Sequence, residues 1–261
     1  MFRRAVRTPA GDASRRGDDA ATSDGASVNR PGHELGRPTD YAGARAPRRA
    51  VLEGRLARLE PLDPMRHGDD LWQAVREAEA RDSFDYLPYG PFKDRAGHDA
   101  HLAQQGSSSD PLAFAIVGRS DRTARGVAAF ANIVADMGVI EIGHVWFAPS
   151  LQRTAAASEA IFLLMAEAFD GLGYRRLEWK TNALNRPSRR AAERFGFSHE
   201  GVFRQHRVWK GRNRDTAWYA LIDADWPLVR ESFALWLGPA NFDARGCQRR
   251  SLGEVRRSLC G

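Results

Sequence analysis

Cysteine is almost missing from this chain. Cys247 and Cys260 are the only two in 261 residues, both near the C-terminus. That excludes a disulfide framework and a cysteine-based zinc site, and it fits a reducing cytoplasm. Long apolar runs are missing too: no stretch approaches the 18 or so residues that mark a membrane-spanning helix, so no membrane partner is expected. No apolar stretch follows the arginines of "MFRRAVRTPAGDASRR", and Asp12, Asp18, Asp19 and Asp24 punctuate the region, so neither a secretory signal nor a transit peptide is expected. Lysine is scarce, at Lys93, Lys180 and Lys210 against 36 arginines. With abundant Ala and Gly, this bias reads as the mark of a GC-rich genome.

The formal charge of +6 belongs to the two ends. Residues 1–50 are net +4 and residues 239–261 net +3, which leaves −1 over 51–238. A near-neutral middle argues against a nucleic-acid partner; binding through the Arg-rich ends would be salt-dependent and lost when they are removed. Residues 1–50 are rich in Ala, Gly, Arg, Asp and Pro and show no period, so a disordered tail is expected there; a start downstream of Met1 is a second reading. A single domain is expected over 51–238, and a basic tail over 239–261.

From Val51 onward the apolar residues become periodic. "GRLARLEPL" alternates as a strand, and residues 67–80 read as a helix with Leu71, Trp72 and Val75 on one stripe. "SFDYLPYGPF" (83–92) is an aromatic loop broken by prolines, and "RAGHDAHLAQQ" is a second helix. Three strand-like runs follow at 112–118, 125–135 and 138–148, the last after a tight turn at "DMG". "RTAAASEAIFLLMAEAFDGLG" is the strongest helix, with Ile161, Leu164, Met165, Ala168 and Phe169 as its buried stripe. A strand at 175–182, a helix at 186–196 closed by Gly196, a hairpin turning at Gly211 and a helix at 225–237 complete the order. It is that of a mixed α/β domain without internal repeats.

Two segments carry chemistry. Around 147–157 a strand hands over to a helix through a run of small residues. A helix start exposes about four unpaired N–H groups and the positive end of its dipole, and small side chains let an anion approach them. Residues 152–157 offer successive N–H groups, the Thr154 hydroxyl and the Arg153 guanidinium; equally, alanine is the best helix former and the run would nucleate a packed helix. The second segment, "NALNRPSRRAAERFGF", places an Asn at a strand end, a Ser three residues on, and a helix closing in Gly-Phe.

In these motifs the chain resembles the GNAT superfamily of acetyl-CoA-dependent N-acetyltransferases, and within it the RimJ/RimL-like branch. Gln152, Ala155 and Ala157 match the phosphate-binding pattern Gln/Arg-x-x-Gly-x-Gly/Ala, with its first glycine replaced. Asn185, Ser188, Glu193, Gly196 and Phe197 match the later motif, and "EGVFRQHRVWKGRNRDTAWYAL" is similar to the closing hairpin. The resemblance runs from about Val51 to Trp226. It implies the GNAT fold: a central, mostly antiparallel twisted sheet, splayed at the acetyl-CoA site and flanked by helices. It also implies acetyl-CoA as co-substrate, its pyrophosphate against Gln152, Arg153, Thr154, Ala155, Ala156 and Ala157. Its pantetheine arm would lie along the backbone of Val145, Trp146 and Phe147, with Asn185 hydrogen-bonded to the arm or its sulfur end. Many members carry a tyrosine seven residues after this Asn; here that position is Ala192, and Ser188 would protonate the leaving thiolate instead.

For a base, the strand feeding the site offers Glu141, where the family often places a carboxylate, and His144, with the better matched intrinsic pKa. Strict alternation puts these two on opposite faces. No dedicated base is needed for an α-amine, about a tenth neutral at pH 7, whereas lysine is neutral in about one molecule in 2,500. Phe84, Tyr86 and Trp146 would wall the acceptor pocket, or the loop would form a lid without touching substrate. The expected activity is transfer of acetyl to a protein N-terminal α-amine or a small-molecule amine, by direct attack on the thioester and without a metal. An antibiotic- or toxic-amine-detoxifying acetyltransferase is the alternative among enzymes, and a non-catalytic acyl-CoA sensor the alternative outside them. Whether the chain forms a homodimer is left open.

Overall fold

The computed structural model describes residues 36–261. The expected disorder of residues 1–35 lies outside the described residues. Residues 36–40, the described part of a first compact unit, carry no helix or strand. The second unit, Tyr41–Gly261, holds every element below. Its first ten residues are not the expected free tail: the Ala44 and Arg45 amides donate to Ala135 O (2.8 Å) and Leu172 O (2.9 Å).

Eight strands among the described residues form one sheet: β1 (Leu52–Glu53), β2 (Ala57–Pro61), β3 (Leu112–Gly118), β4 (Ala124–Val134), β5 (Val139–Phe147), β6 (Arg176–Asn182), β7 (Ser198–Trp209) and β8 (Arg212–Ile222). Their spatial order is β1-β2-β3-β4-β5-β6-β8-β7. All neighbours are antiparallel except β5 and β6, which run parallel. A parallel pair needs a crossover, and α3 (Ala155–Ala166) supplies it. The remaining helices are α1 (Pro64–Ala74), α2 (Arg95–Ser107), α4 (Arg186–Phe195), α5 (Trp226–Leu237) and α6 (Leu252–Leu259).

Alternation along the strands feeds two apolar layers. On one face Leu59, Phe114, Ile116, Phe130, Ile140 and Ile142 meet Ile161, Leu164 and Met165 of α3 and Phe233 of α5. Each of those aliphatic side chains of α3 is fully buried, which contributes about 1.5–3 kcal/mol apiece. The other face presents small residues, Ala113, Ala115 and Ala129, against Leu71 and Ala74 of α1 and Leu102 of α2. Caps set the helix starts: the Asp63 carboxylate accepts from Met65 N ahead of Pro64, and Asp94 accepts from Gly97 N. Gly196 ends α4 at φ 104°, and a Cβ there would lie 2.7 Å from Val229 Cγ2.

Residues 239–261 are not a loose tail either. Ser251 and Glu254 form a reciprocal capping box that starts α6, whose Leu252 and Val255 are buried in the first apolar layer.

Candidate active site

The sheet opens at its centre. β5 and β6 pair only at Val139–Arg176, Ile140–Leu177 and Glu141–Glu178. Beyond that register β5 continues to Phe147 and β6 to Asn182 with no partner between them. The starts of α3 and α4 follow these two free strand ends in the chain.

At the start of α3, the Thr154 hydroxyl accepts from Ala157 N (3.1 Å) and donates to Leu151 O (2.7 Å). It is the N-cap, not a free phosphate ligand. The Gln152 amide donates to Ala148 O (3.1 Å) and its side chain to Phe147 O (3.0 Å). Of the six residues expected to cradle a pyrophosphate, Arg153, Ala155 and Ala156 keep backbone N–H groups that donate to nothing among the described residues. Arg153 sits in the left-handed region at φ 60°, its side chain exposed and without a partner among the described residues. Three amides, a helix dipole and a free guanidinium suit a diphosphate.

At the start of α4, Asn185 is the N-cap and accepts from Ser188 N (3.1 Å). Ser188 Oγ accepts a hydrogen bond from the indole of Trp179 (3.0 Å), a buried residue on the free end of β6. With that lone pair occupied, the serine O–H remains as donor. α4 itself is pinned by Tyr219, which accepts from Arg189 Nε and donates to Glu193 Oε1, both at 3.1 Å.

On the opposite face lies Glu141, buried at the last paired position of β5. Its Oε2 accepts from Asn132 Nδ2 (2.6 Å) and pairs with Lys180 Nζ (2.9 Å). Oε1 accepts nothing among the described residues. The absent side chain of Gly143 keeps it clear, since a Cβ there would come to 3.1 Å. Burial raises the carboxyl above the usual glutamate range, against the pull of Lys180 and Asn132. Lys180 also binds Glu178 (2.7 Å) and lies over the Trp218 ring.

His144 does not face away from Glu141. It has φ 52°, and the β4–β5 register slips between Ala129–Gly143 and Val127–Trp146. One extra residue in β5 resets the alternation, so His144 stacks on Tyr89 (5.8 Å, 6° between planes) on the same side as Glu141. Its Nδ1 is buried without a partner, and burial lowers its pKa. His101, 4.1 Å from the Tyr89 ring, is pushed down to about 4 by burial and then by His144 and His98. His144 is therefore a wall residue whose burial favours the neutral ring and weakens it as a base.

The aromatic residues named as an acceptor wall divide. Trp146 is buried, stacks on Phe84 (5.3 Å) and donates to Ser83 Oγ (2.7 Å). Phe84 is buried as well, so both are packing beneath the loop. Tyr86 is exposed and its hydroxyl donates to Leu184 O (3.4 Å), tying the loop to the residue before Asn185. Lys180, Asn132 and Trp179, which position these groups, carry no site role in the sequence reading. A strand period of two places Glu178 and Lys180 on one face, but only the β5–β6 register shows that this face also holds Glu141.

A family model described as an acetyltransferase (GNAT) domain matches residues 58–198. Among solved structures, a GCN5-related N-acetyltransferase from Brucella melitensis is 44% identical, covering 84% of this chain and 99% of that one at a TM-score of 0.82. A structure described as a probable acetyltransferase of the GNAT family from Chromobacterium violaceum is 38% identical, over 76% and 100% of the two chains, with a TM-score of 0.70. A Salmonella typhimurium acetyl transferase, described as modifying the N-terminal serine of ribosomal protein L7/L12, shares the fold at 22% identity and a TM-score of 0.57, over 66% of this chain and 99% of that one. No curated protein matches. A domain match across more than half of the chain, a solved relative at 44% identity and a sheet that parts beside an open helix start lead to one family: the chain belongs to the GNAT acetyltransferases.

Proposed function

We propose that the chain moves an acetyl group from acetyl-CoA to an α-amine, as in the RimJ/RimL-like branch, with a protein N-terminus as acceptor. The observation that carries this reading is the parting of β5 and β6 after Glu141–Glu178, beside the three free amides of α3. The amides of Arg153, Ala155 and Ala156 and the Arg153 guanidinium would hold the pyrophosphate. His144 and Val145 have no register partner on β4 or β6, so their peptide groups would bond the pantetheine arm or the thioester carbonyl. Bound acetyl-CoA supplies an activated acyl carbon and a thiolate leaving group. Glu141 Oε1, free and raised by burial, takes the amine proton directly or through water, and the Ser188 O–H hydrogen-bonds the departing sulfur. Asn185 caps α4 and thereby holds Ser188 in place.

An α-amine is favoured because its pKa, near 8, leaves far more neutral nucleophile at pH 7 than lysine does. The Salmonella neighbour's described action on an N-terminal serine points the same way. The test incubates the full chain with acetyl-CoA and two peptides, one with a free N-terminus and no lysine, one N-blocked with a lysine, read by mass spectrometry. Acetylation of the first alone is expected. Modification of lysine alone, or of an antibiotic amine and neither peptide, would overturn the reading. Acetyl-CoA binding without turnover on any amine would favour the sensor.

A further inference from the structure

Arg214 is a buried cation without a counterion among the described residues. It is 6% exposed, and its guanidinium carbon lies 3.6 Å from the centroid of the Trp209 ring. Its Nε is buried with no hydrogen-bond partner, and none of its nitrogens donates to a group among the described residues. Other arginines in this fold behave differently: Arg176 binds Glu178 and Glu200, and Arg58 binds Glu53 and Glu60. Burying an unpaired guanidinium is costly, and so is leaving a buried donor unsatisfied.

The surroundings repeat the pattern. On β8, Arg214, Thr216 and Trp218 alternate onto the face that holds Lys180 and Glu141; Lys180 is the register partner of Trp218 and lies over its ring at 4.3 Å. Trp218 Nε1 is a second buried donor without an acceptor among the described residues. Across the hairpin, Arg207 is the register partner of Arg214. No carboxylate lies within ion-pair distance of Arg204, Arg207, Lys210, Arg212 or Arg214 among the described residues. Asp215 is spent on Gln205 N and Asn213 Nδ2. Glu141 acts on Arg214 only from beyond ion-pair range, and its Oε2 already serves Asn132 and Lys180. Around Arg214 this face has donors and positive charge to spare, and the uncommitted carboxylate oxygen named above, Glu141 Oε1, lies beyond ion-pair range of the guanidinium.

We propose that Arg214 docks a carboxylate carried by the acceptor, so that the enzyme selects amines that bear a carboxylate close to the reacting nitrogen. A guanidinium held over an indole presents a planar fork that matches a carboxylate better than a point charge does. The inference rests on the proposed acetyl transfer for the place of the amine, which lies by Glu141 Oε1 while the carboxylate reaches toward Arg214. The carboxylate comes from an acidic side chain next to a peptide N-terminus or from the α-carboxylate of a free amino acid.

The two sources separate by binding, read from Trp fluorescence of the full chain without acetyl-CoA. The ligands are Ser-Asp-Ala-amide against Ser-Asn-Ala-amide, and serine against serinamide. In at least one pair the acid is expected to bind at least about tenfold tighter than its amide, as a charge-assisted hydrogen bond allows; which pair does so names the source. Arg214→Gln should abolish the difference, and Arg214→Lys, which keeps charge without the fork, should retain part of it, so a misfolded Gln variant does not mask the result. Acid and amide binding equally in both pairs, or a preference that survives Arg214→Gln, would overturn the proposal. Acetyl-CoA affinity, measured separately, should be unchanged in both variants. Its absence in the unsubstituted chain would instead defeat the proposed transfer, whatever the peptides show.

Discussion

Replacing Lys180 by Met takes away the cation that Glu141 and Glu178 share at 2.9 and 2.7 Å. Glu141 is already raised by burial, and Lys180 is the strongest influence holding it down. An opposite charge at such a distance lowers a carboxyl by about 1–3 units, so its loss moves Glu141 up by at least about one. In the proposed transfer the ionised carboxylate is the form that accepts the amine proton. The acid limb of kcat/KM therefore moves to higher pH by at least about one unit, and on that limb the rate falls about tenfold or more. Stability falls as well, because breaking a buried pair strands its partner. With Lys180 15% exposed, the loss sits near the low end of the range, about 3 kcal/mol, or roughly 6–12 °C in melting temperature for a domain of this size. The Glu178→Gln, Lys180→Met double variant removes one stranded carboxylate, so it should regain part of the stability and keep most of the pH shift, less the smaller part by which the Glu178 charge raises Glu141. Thiol release followed across pH, beside thermal melts, measures both. An acid limb that stays in place in the double variant would refute Glu141 as the base.

Three further outcomes follow from buried polar groups. Glu159 accepts from the backbone N–H groups of Arg55, Leu56 and Ala57 at 3.1, 2.6 and 2.8 Å, so Glu159→Gln should cost about 3 kcal/mol in a urea titration; a loss under about 1 kcal/mol would deny it that role. His101 is pushed down to about 4 and so is held neutral in a half-buried position. Its stabilising contribution is complete above the unfolded value near 6.5 and is lost as pH falls toward 4, a swing that solvent screening of the half-buried ring reduces to about 1–2 kcal/mol. Denaturant melts of His101→Phe should show that much less acid sensitivity than the parent, and identical slopes would contradict the burial. Trp179→Phe deletes the donor to Ser188 Oγ. It should lower kcat by about threefold to tenfold with KM for acetyl-CoA unchanged, and add nothing in a Ser188→Ala background.

The elements that were legible in the sequence are those whose residues repeat with their own period. β3 was expected at 112–118 and spans Leu112–Gly118, and the buried stripe of α3 is the one its spacing implied. The misplaced residues answer to contacts made at a distance or to an insertion. Nothing local marks His144 as the bulge, yet that one residue carries its ring to the side of Glu141. Leu252 and Val255 were hidden among arginines, although Ser251 and Glu254 spell a capping box that a reading by charge alone passes over. Thr154 and Asn185 stood where a ligand was expected, and both turn out to cap their own helices. At α3 the backbone offers the site and the side chain organises it.

The central claim is that the start of α3 receives acetyl-CoA, and calorimetric titration of the full chain against its Ala155→Asp variant tests it most directly. An aspartate in the first turn favours the helix dipole, so the fold is retained while a negative charge is set beside the free amides of Arg153, Ala155 and Ala156. The account predicts micromolar binding to the parent chain and a loss of at least about a hundredfold in the variant, as repulsion of a diphosphate in place of its capture would give. Equal binding by both, or none by the parent, would mean that the small residues at this handover serve only to pack the helix.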